Sequence, residues 1–297
     1  MKEQSYTEAR ALPRWREKLS LWSELMKLRL SMLVALSAMF GYAMAAGDYF
    51  TPWHLLLMGL AGLLITGASN ALNQVFEREY DKIMQRTAQR PLPTGRATVQ
   101  ESVLLAILLF IAGVGILGYY FNVVAALLGI IGLLSYAFVY TPMKRISPFS
   151  VLVGAIPGAL PPLIGWAGYS GMLDFGGWVL FAFQFFWQFP HFWAIAWRLD
   201  EDYRKAGFKM MPLESGRSRG TALMMLVYTL ALSPLTFFAF KAGFLTPWGA
   251  AALALLGLLF ALPSLLLYRS LDNRHATQVL FGSFLYLPAS QLIFLIA

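Results

Sequence analysis

Cysteine is absent from all 297 residues, which excludes disulfides and thiolate metal sites and leaves the redox compartment open. Charge is scarce as well. Asp, Glu, Lys and Arg make up 13% of the chain against 58% hydrophobic residues, and the mean hydropathy is +0.61. That balance is too apolar for an ordinary soluble domain and points to an integral membrane protein. No cleavable leader is expected, because residues 1–18 are charged throughout and the first apolar run lacks a small-residue cleavage pattern. In a soluble chain the net charge of +8 would raise nucleic acid as a partner. In a membrane protein basic residues report topology and attraction to the headgroups of the lipid bilayer, so no nucleic acid is expected.

What is there is mostly span. Stretches of about 20 apolar residues, the length that crosses hydrocarbon, fall at 30–46, 53–76, 103–120, 123–140, 150–168, 177–197, 221–240, 248–267 and 277–296. The expected fold is therefore all-α, a polytopic membrane protein of nine transmembrane helices. Residues 1–29 form a separate N-terminal segment. Within it Leu21, Trp22, Leu25 and Met26 gather on one helical face among Arg16, Lys18, Glu24 and Lys27, which suits a helix lying on the membrane surface. Residues 30–297 make one nine-helix domain. Of the 23 Lys and Arg, Lys241 alone lies on the side opposite the N-terminus, which places the N-terminus and the two long loops, 2–3 and 6–7, in the cytoplasm.

Those two loops carry the chemistry. Asn73, Glu77 and Asp81 stand at i, i+4 and i+8 where the second span ends, so one amide and two carboxylates share a helical face. Loop 6–7 opens with Asp200, Glu201 and Asp202. An acidic helix end followed by a basic loop in each half hints at an old duplication. Carboxylates beside a bilayer are costly and seldom unpartnered, so two clusters on one membrane face are functional candidates. The plain alternative is that they cap helices and pair with Arg78, Lys82 or Arg204.

Hard oxygen donors without Cys or His suit Mg²⁺, which is usually held by one or two carboxylates together with substrate phosphates. Lys82, Arg90, Arg96 and Lys205 are candidates to neutralise the phosphate charge. A diphosphate at the edge of a membrane cavity points to a polyprenyl diphosphate. The sixth span, with Phe181, Phe183, Phe185, Phe186, Trp187, Phe189, Phe192 and Trp193, offers π faces to an allylic cation, although most of these rings are expected to pack or face lipid.

LNQVFEREYDKIMQRT followed by RPLP, YTPMKR with GALPPLIGW, QFPHFWAIAW and DYRKAGFKMMP together resemble the UbiA superfamily of intramembrane prenyltransferases, and within it the branch whose acceptor is haem. The likeness covers about half the chain by motif. It implies a bundle around a central cavity in the bacterial inner membrane, with Mg²⁺ as cofactor and transfer of the farnesyl group of farnesyl diphosphate to a vinyl group of haem B, with water added, to give haem O.

The resemblance makes Asn73, Glu77 and Asp81 the first metal and catalytic motif. Asp202, with neighbouring Asp200 or Glu201, makes the second. Arg90, Lys144 and Arg145 would serve diphosphate or haem propionates. His191 of PHFW, with Tyr140 and Trp187, would meet the haem, His being a usual ligand of haem iron; a helix-to-helix hydrogen bond is the alternative for an intramembrane His.

Four positions depart from the family pattern. Glu77 and Glu79 stand where Asp is common, Ser150 where Asn is usual, and Leu28 interrupts a Lys-Pro-Arg. A haem A synthase or terminal oxidase assembly enters as a partner on the same resemblance. Two rival functions stay open: prenyl transfer to a quinone precursor or chlorophyllide, and a membrane haem-binding protein or transporter.

Overall fold

The computed structural model describes residues 14–296, and everything it describes is helix or short connection. The first thirteen residues of the N-terminal segment, with Lys2 and Arg10 of the charge bias, lie outside the described residues. Helix α1 (Arg14–Leu25) precedes the long helices α2 (Leu28–Ala46), α3 (Pro52–Asp81) and α4 (Val99–Tyr120). Helix α5 (Val123–Leu134) passes through a π-turn at Ser135–Tyr140 into the short α6 (Thr141–Ile146). Then come α7 (Ser150–Ser170), α8 (Phe175–Arg198), the short α9 (Asp200–Lys205), α10 (Arg219–Leu230), α11 (Leu232–Lys241), α12 (Pro247–Ser270) and α13 (Asn273–Ile296).

Among the described residues eight segments are long and apolar enough to cross a membrane. They match eight of the nine expected spans. The ninth, α8, has the length at 24 residues, but Gln184, Gln188, His191 and Arg198 dilute its apolar character. The bundle folds around two large apolar clusters. One gathers α8 with α10 to α13, the other α2 to α5.

Prolines account for the irregular backbone. Pro142 has no N–H for the Phe138 carbonyl and its ring crowds that turn, so the helix widens ahead of it: the Thr141 N–H bonds to the Tyr136 carbonyl, five residues back. Pro234 likewise cannot donate to Leu230, and the expected seventh span divides at Ala231 into α10 and α11. At the chain's polar turns Thr51, Thr98, Asn122, Asp174, Ser218 and Thr246 each accept an N–H at a helix start, which is why the long helices begin there.

Helices α2 and α7 cross closely. A Cβ on Gly165 would lie 1.9 Å from the Ala38 carbonyl oxygen, and one on Gly41 would lie 2.0 Å from the Pro162 carbonyl oxygen. Lipid gives helices no hydrophobic reason to associate, so such close approach by small residues carries the packing. Gly165→Leu is expected to force this crossing apart, at about 1–3 kcal/mol or more for overpacking, and to lower the thermal midpoint of the detergent-purified protein followed by size-exclusion chromatography. Gly115→Ala, where a Cβ meets nothing within 4 Å, should leave that midpoint unchanged or slightly raised.

Candidate functional site

The last turns of α3 bury Asn73, Glu77 and Asp81 on one face, as the spacing predicts. Each meets a partner from a different part of the chain. Lys27 Nζ donates to Asn73 Oδ1 at 3.1 Å, and Asn73 Nδ2 donates to Thr141 Oγ1 at 3.2 Å. Lys144 Nζ lies 2.7 Å from Glu77 Oε1, with both residues buried. Arg90 Nη1 spans the Asp81 carboxylate, 2.9 Å from Oδ1 and 2.8 Å from Oδ2.

Local structure delivers each partner. Thr87 Oγ1 donates to the Asp81 carbonyl, and the bonds from Thr87 N and Ala88 N to the Met84 carbonyl and from Arg90 N to the Thr87 carbonyl curl the loop back, so that Arg90 returns to Asp81. The π-turn re-phases α6, bringing Thr141 and Lys144 onto the α3 face. Lys27 sits in the left-handed region, φ 48° and ψ 55°, at the elbow between α1 and α2. Burial, helped by the charges of Arg90 and Lys144 and opposed by those of Glu77 and Asp81, lowers Lys27 to about 7. Lysine and arginine side chains thus outnumber the two carboxylates, and an arriving anion would restore the full charge of Lys27.

The second acidic loop is joined to this cluster through α6. Lys209 N donates to the Lys144 carbonyl at 2.7 Å, and the Phe208 ring lies 5.8 Å from that of Tyr80. Asp200 is buried and committed within its own loop, with Arg204 Nε at 3.1 Å and Arg217 Nε at 3.9 Å. Asp202 is half-buried, and its carboxylate makes no hydrogen bond or ion pair among the described residues; Glu201 and Lys205 are exposed. A cleft of about 260 Å³ runs beside this loop, lined by Tyr203, Phe208, Lys209 and Met210. Two expected diphosphate ligands pair elsewhere: Arg96 with Glu24 of α1 at 2.8 Å, and Lys82 with Glu79 at 2.7 Å, all exposed. Among the described residues no group of three or more His, Cys, Asp or Glu is gathered tightly enough to hold a metal.

The expected haem-side residues fall into two groups. Tyr140 lies under Lys144 Nζ, 4.4 Å from its ring centre, and Arg145 stacks over Tyr80 at 4.3 Å while donating to its hydroxyl. These adjoin the α3 cluster. His191 and Trp187 lie instead where α8 meets α13. The two rings stack at 4.9 Å, His191 Nδ1 is 2.8 Å from Ser283 Oγ, and Trp187 Nε1 donates to the Ser283 carbonyl at 2.8 Å. Sequence reasoning passed over Lys27, Thr141 and Thr87. Lys27 had a visible signal in the Lys27-Leu28-Arg29 element that opens the first span. Ser150, standing where the family has Asn, has a buried hydroxyl with no partner among the described residues.

The UbiA prenyltransferase family model matches residues 34–287, and the chain belongs to that family. Among its relatives are proteins named protoheme IX farnesyltransferase. That of Cytophaga hutchinsonii is 44% identical over 92% of this chain and 96% of its own length, and that of Myxococcus xanthus 41% identical over 89% of each. In solved structures the fold is shared with a digeranylgeranylglyceryl phosphate synthase, at TM-score 0.79 and 18% identity over 94% of this chain and 98% of that one. It is also shared with a UbiA homologue from Archaeoglobus fulgidus bound to GPP and Mg²⁺, at TM-score 0.67 and 17% identity over 92% and 99%.

Lys144 and Glu77 test the electrostatics directly. Removing one partner of a buried pair strands the other charge, at about 3–5 kcal/mol. Lys144→Met is therefore expected to lower the thermal midpoint sharply, and adding Glu77→Gln to that variant should recover most of the loss, a coupling that a double-mutant cycle measures.

Proposed function

We propose that this chain transfers the farnesyl group of farnesyl diphosphate to a vinyl group of haem B, giving haem O and diphosphate. The observation that carries the reading is the face of Asn73, Glu77 and Asp81, gathered against Lys27, Lys144 and Arg90 in a chain similar to a protoheme IX farnesyltransferase over 96% of that relative's length.

The donors fit Mg²⁺, since amide and carboxylate oxygens are its usual ligands and a diphosphate supplies the rest. Asn73, Glu77 and Asp81 would hold it from α3, with Asp202 from loop 6–7; Asp200, engaged by Arg204 and Arg217, is the weaker choice. When bound, the metal supplies Lewis-acid charge at the leaving diphosphate. Lys144 and Arg90 are ready to exchange their carboxylates for phosphate oxygens, Arg90 through a planar fork suited to two of them. The C1–O bond of the farnesyl group breaks with its electron pair leaving on diphosphate. The vinyl π bond of haem closes on C1. Water captures the cation left beside the porphyrin ring and releases a proton, leaving a hydroxyethylfarnesyl group.

The protein's part is to neutralise the leaving charge and to align two bulky apolar partners. Lys144 and Arg145, beside the α3 cluster, suit haem propionates or diphosphate. His191 and Trp187 suit a porphyrin face. The reading also places α8 as a ninth span, the acidic loops on the cytoplasmic side of a bacterial inner membrane, and α1 along its surface with Trp15 and Leu19 outward, whereas Leu21 and Leu25 of the expected apolar stripe pack into the bundle instead. A haem A synthase or terminal oxidase assembly would then be the natural recipient of the product.

Incubation of the purified protein with haem B, farnesyl diphosphate and Mg²⁺ should add the mass of farnesyl plus water to the haem, and chelation of the metal should stop it. Haem recovered unchanged, with a quinone precursor prenylated in its place, would overturn the acceptor assignment. Asp81→Asn is expected to lower turnover about 100-fold or more with the protein still folded; full activity in that variant would refute the role given to the α3 face. Asp202→Asn should cost far more turnover than Asp200→Asn in the same assay, provided both variants elute as folded protein.

A further inference from the structure

The α3 face that carries Asn73, Glu77 and Asp81 also carries Asn70 and Gln74, and these two do something else. Both are buried, and both donate to the α1–α2 elbow, Gln74 to backbone alone and Asn70 to backbone and the Ser31 hydroxyl. Gln74 Nε2 donates to the Glu24 carbonyl at 3.0 Å and to the Leu25 carbonyl at 2.9 Å. Asn70 Nδ2 reaches the Met26 carbonyl at 3.3 Å and Ser31 Oγ at 3.1 Å. The next residue is Lys27, held in a left-handed conformation that a lysine rarely adopts, with its ammonium on Asn73 Oδ1 at 3.1 Å.

An elbow of this kind needs an external hold, because among the described residues the Leu25 carbonyl has no backbone partner, the Glu24 carbonyl takes a backbone N–H only from Lys27 in a tight turn, and the conformation at Lys27 is sterically costly. Gln74 provides it at some expense, since its Oε1 is buried with no partner among the described residues. An amide placed for packing alone has no reason to accept that. Its two donor bonds account for its presence.

We infer that Asn70 and Gln74 are positioning residues, which clamp the α1–α2 elbow so that Lys27 stands at the α3 face as a third cation for the diphosphate. The inference rests on the prenyl diphosphate reading above. It assigns α1 a part in the site: the helix is the arm on which Lys27 is carried, tied down a second time by Arg96 on Glu24 and by Lys18 on Glu101.

The test is a calorimetric titration of the full-length protein in Mg²⁺ with inorganic pyrophosphate. Lys27→Met should weaken binding about tenfold, the worth of one charge-assisted hydrogen bond. Gln74→Met, which keeps the length and loses the donors, should weaken it by a similar factor. The double variant should be no weaker than either single one, because both changes remove the same ammonium. Losses that multiply to about a hundredfold in the double variant, or wild-type affinity in Gln74→Met, overturn the positioning role while leaving the diphosphate site standing. Wild-type affinity in Lys27→Met removes Lys27 from the site and the inference with it. Failure of the unaltered protein to bind pyrophosphate overturns the diphosphate reading and the inference together. Asn70→Ala, which frees only the Met26 carbonyl and Ser31, serves in the same cycle should Gln74→Met not accumulate as folded protein.

Discussion

A carboxylate buried at the end of a membrane-spanning helix must be given a cation, since burying it alone would cost several kcal/mol or force it to take up a proton. Glu77 and Asp81 impose that condition on the rest of the bundle face that carries them. Lys144 answers the first and Arg90 the second, at 2.7 and 2.8 Å, and Lys27 adds a third charge at Asn73. Positions 27, 90 and 144 are far apart in the chain, and each arrives through a departure from regular backbone. Lys27 comes through a left-handed residue, Arg90 through a run of tight turns, Lys144 through a π-turn. The irregular backbone of this face is therefore explained by one electrostatic demand rather than by three separate accidents.

Pairing the acids in this way leaves the cluster stable yet exchangeable. The cations outnumber the carboxylates, so an incoming diphosphate finds partners already in place and need not draw them from solvent, which is the advantage of a pre-organised electrostatic site. The bundle's own cohesion lies elsewhere, in the close glycine crossings of α2 with α7 and in the aromatic packing around α8. Separating the two matters physically. Helices held by shape can tolerate a polar site whose ion pairs break and re-form, whereas helices held by those ion pairs would loosen each time.

The parts of this structure readable from sequence are those set by period and composition. The face of Asn73, Glu77 and Asp81 follows from spacing alone, and eight of the nine expected spans have the apolar length to cross; α8, expected as the sixth, falls short because Gln184, Gln188 and His191 interrupt it. Tertiary pairing was less legible. Lys82 and Arg96 lie close to Asp81 in the chain and were natural candidates for diphosphate, yet they bond to Glu79 and Glu24, while Lys144, sixty-seven positions from Glu77, closes the buried pair. The pairing of Asp200 with Arg204 and Arg217 was likewise not legible in the sequence. Pro142 stood in plain view within YTPMKR, and its missing N–H was sufficient warning of a widened turn, but the direction in which that turn would aim Lys144 required the neighbouring helices.

The residues that suit a prenyl diphosphate and those that suit a porphyrin lie in different parts of the bundle, the first on α3, α6 and the elbow, the second chiefly where α8 meets α13. What links them is loop 6–7. It leaves α8 seven residues beyond His191, carries Asp202, and bonds through Lys209 N to the carbonyl of Lys144, whose ammonium holds Glu77. Loop 6–7 thus joins α8 to Lys144 through a short, continuous chain of covalent and hydrogen-bonded contacts. Coupling of that kind has a chemical use, because an allylic cation formed before its acceptor is in place would be lost to water. On this view the loop's acids and its backbone bond to α6 belong to a single requirement, that the leaving group be neutralised when both substrates are present.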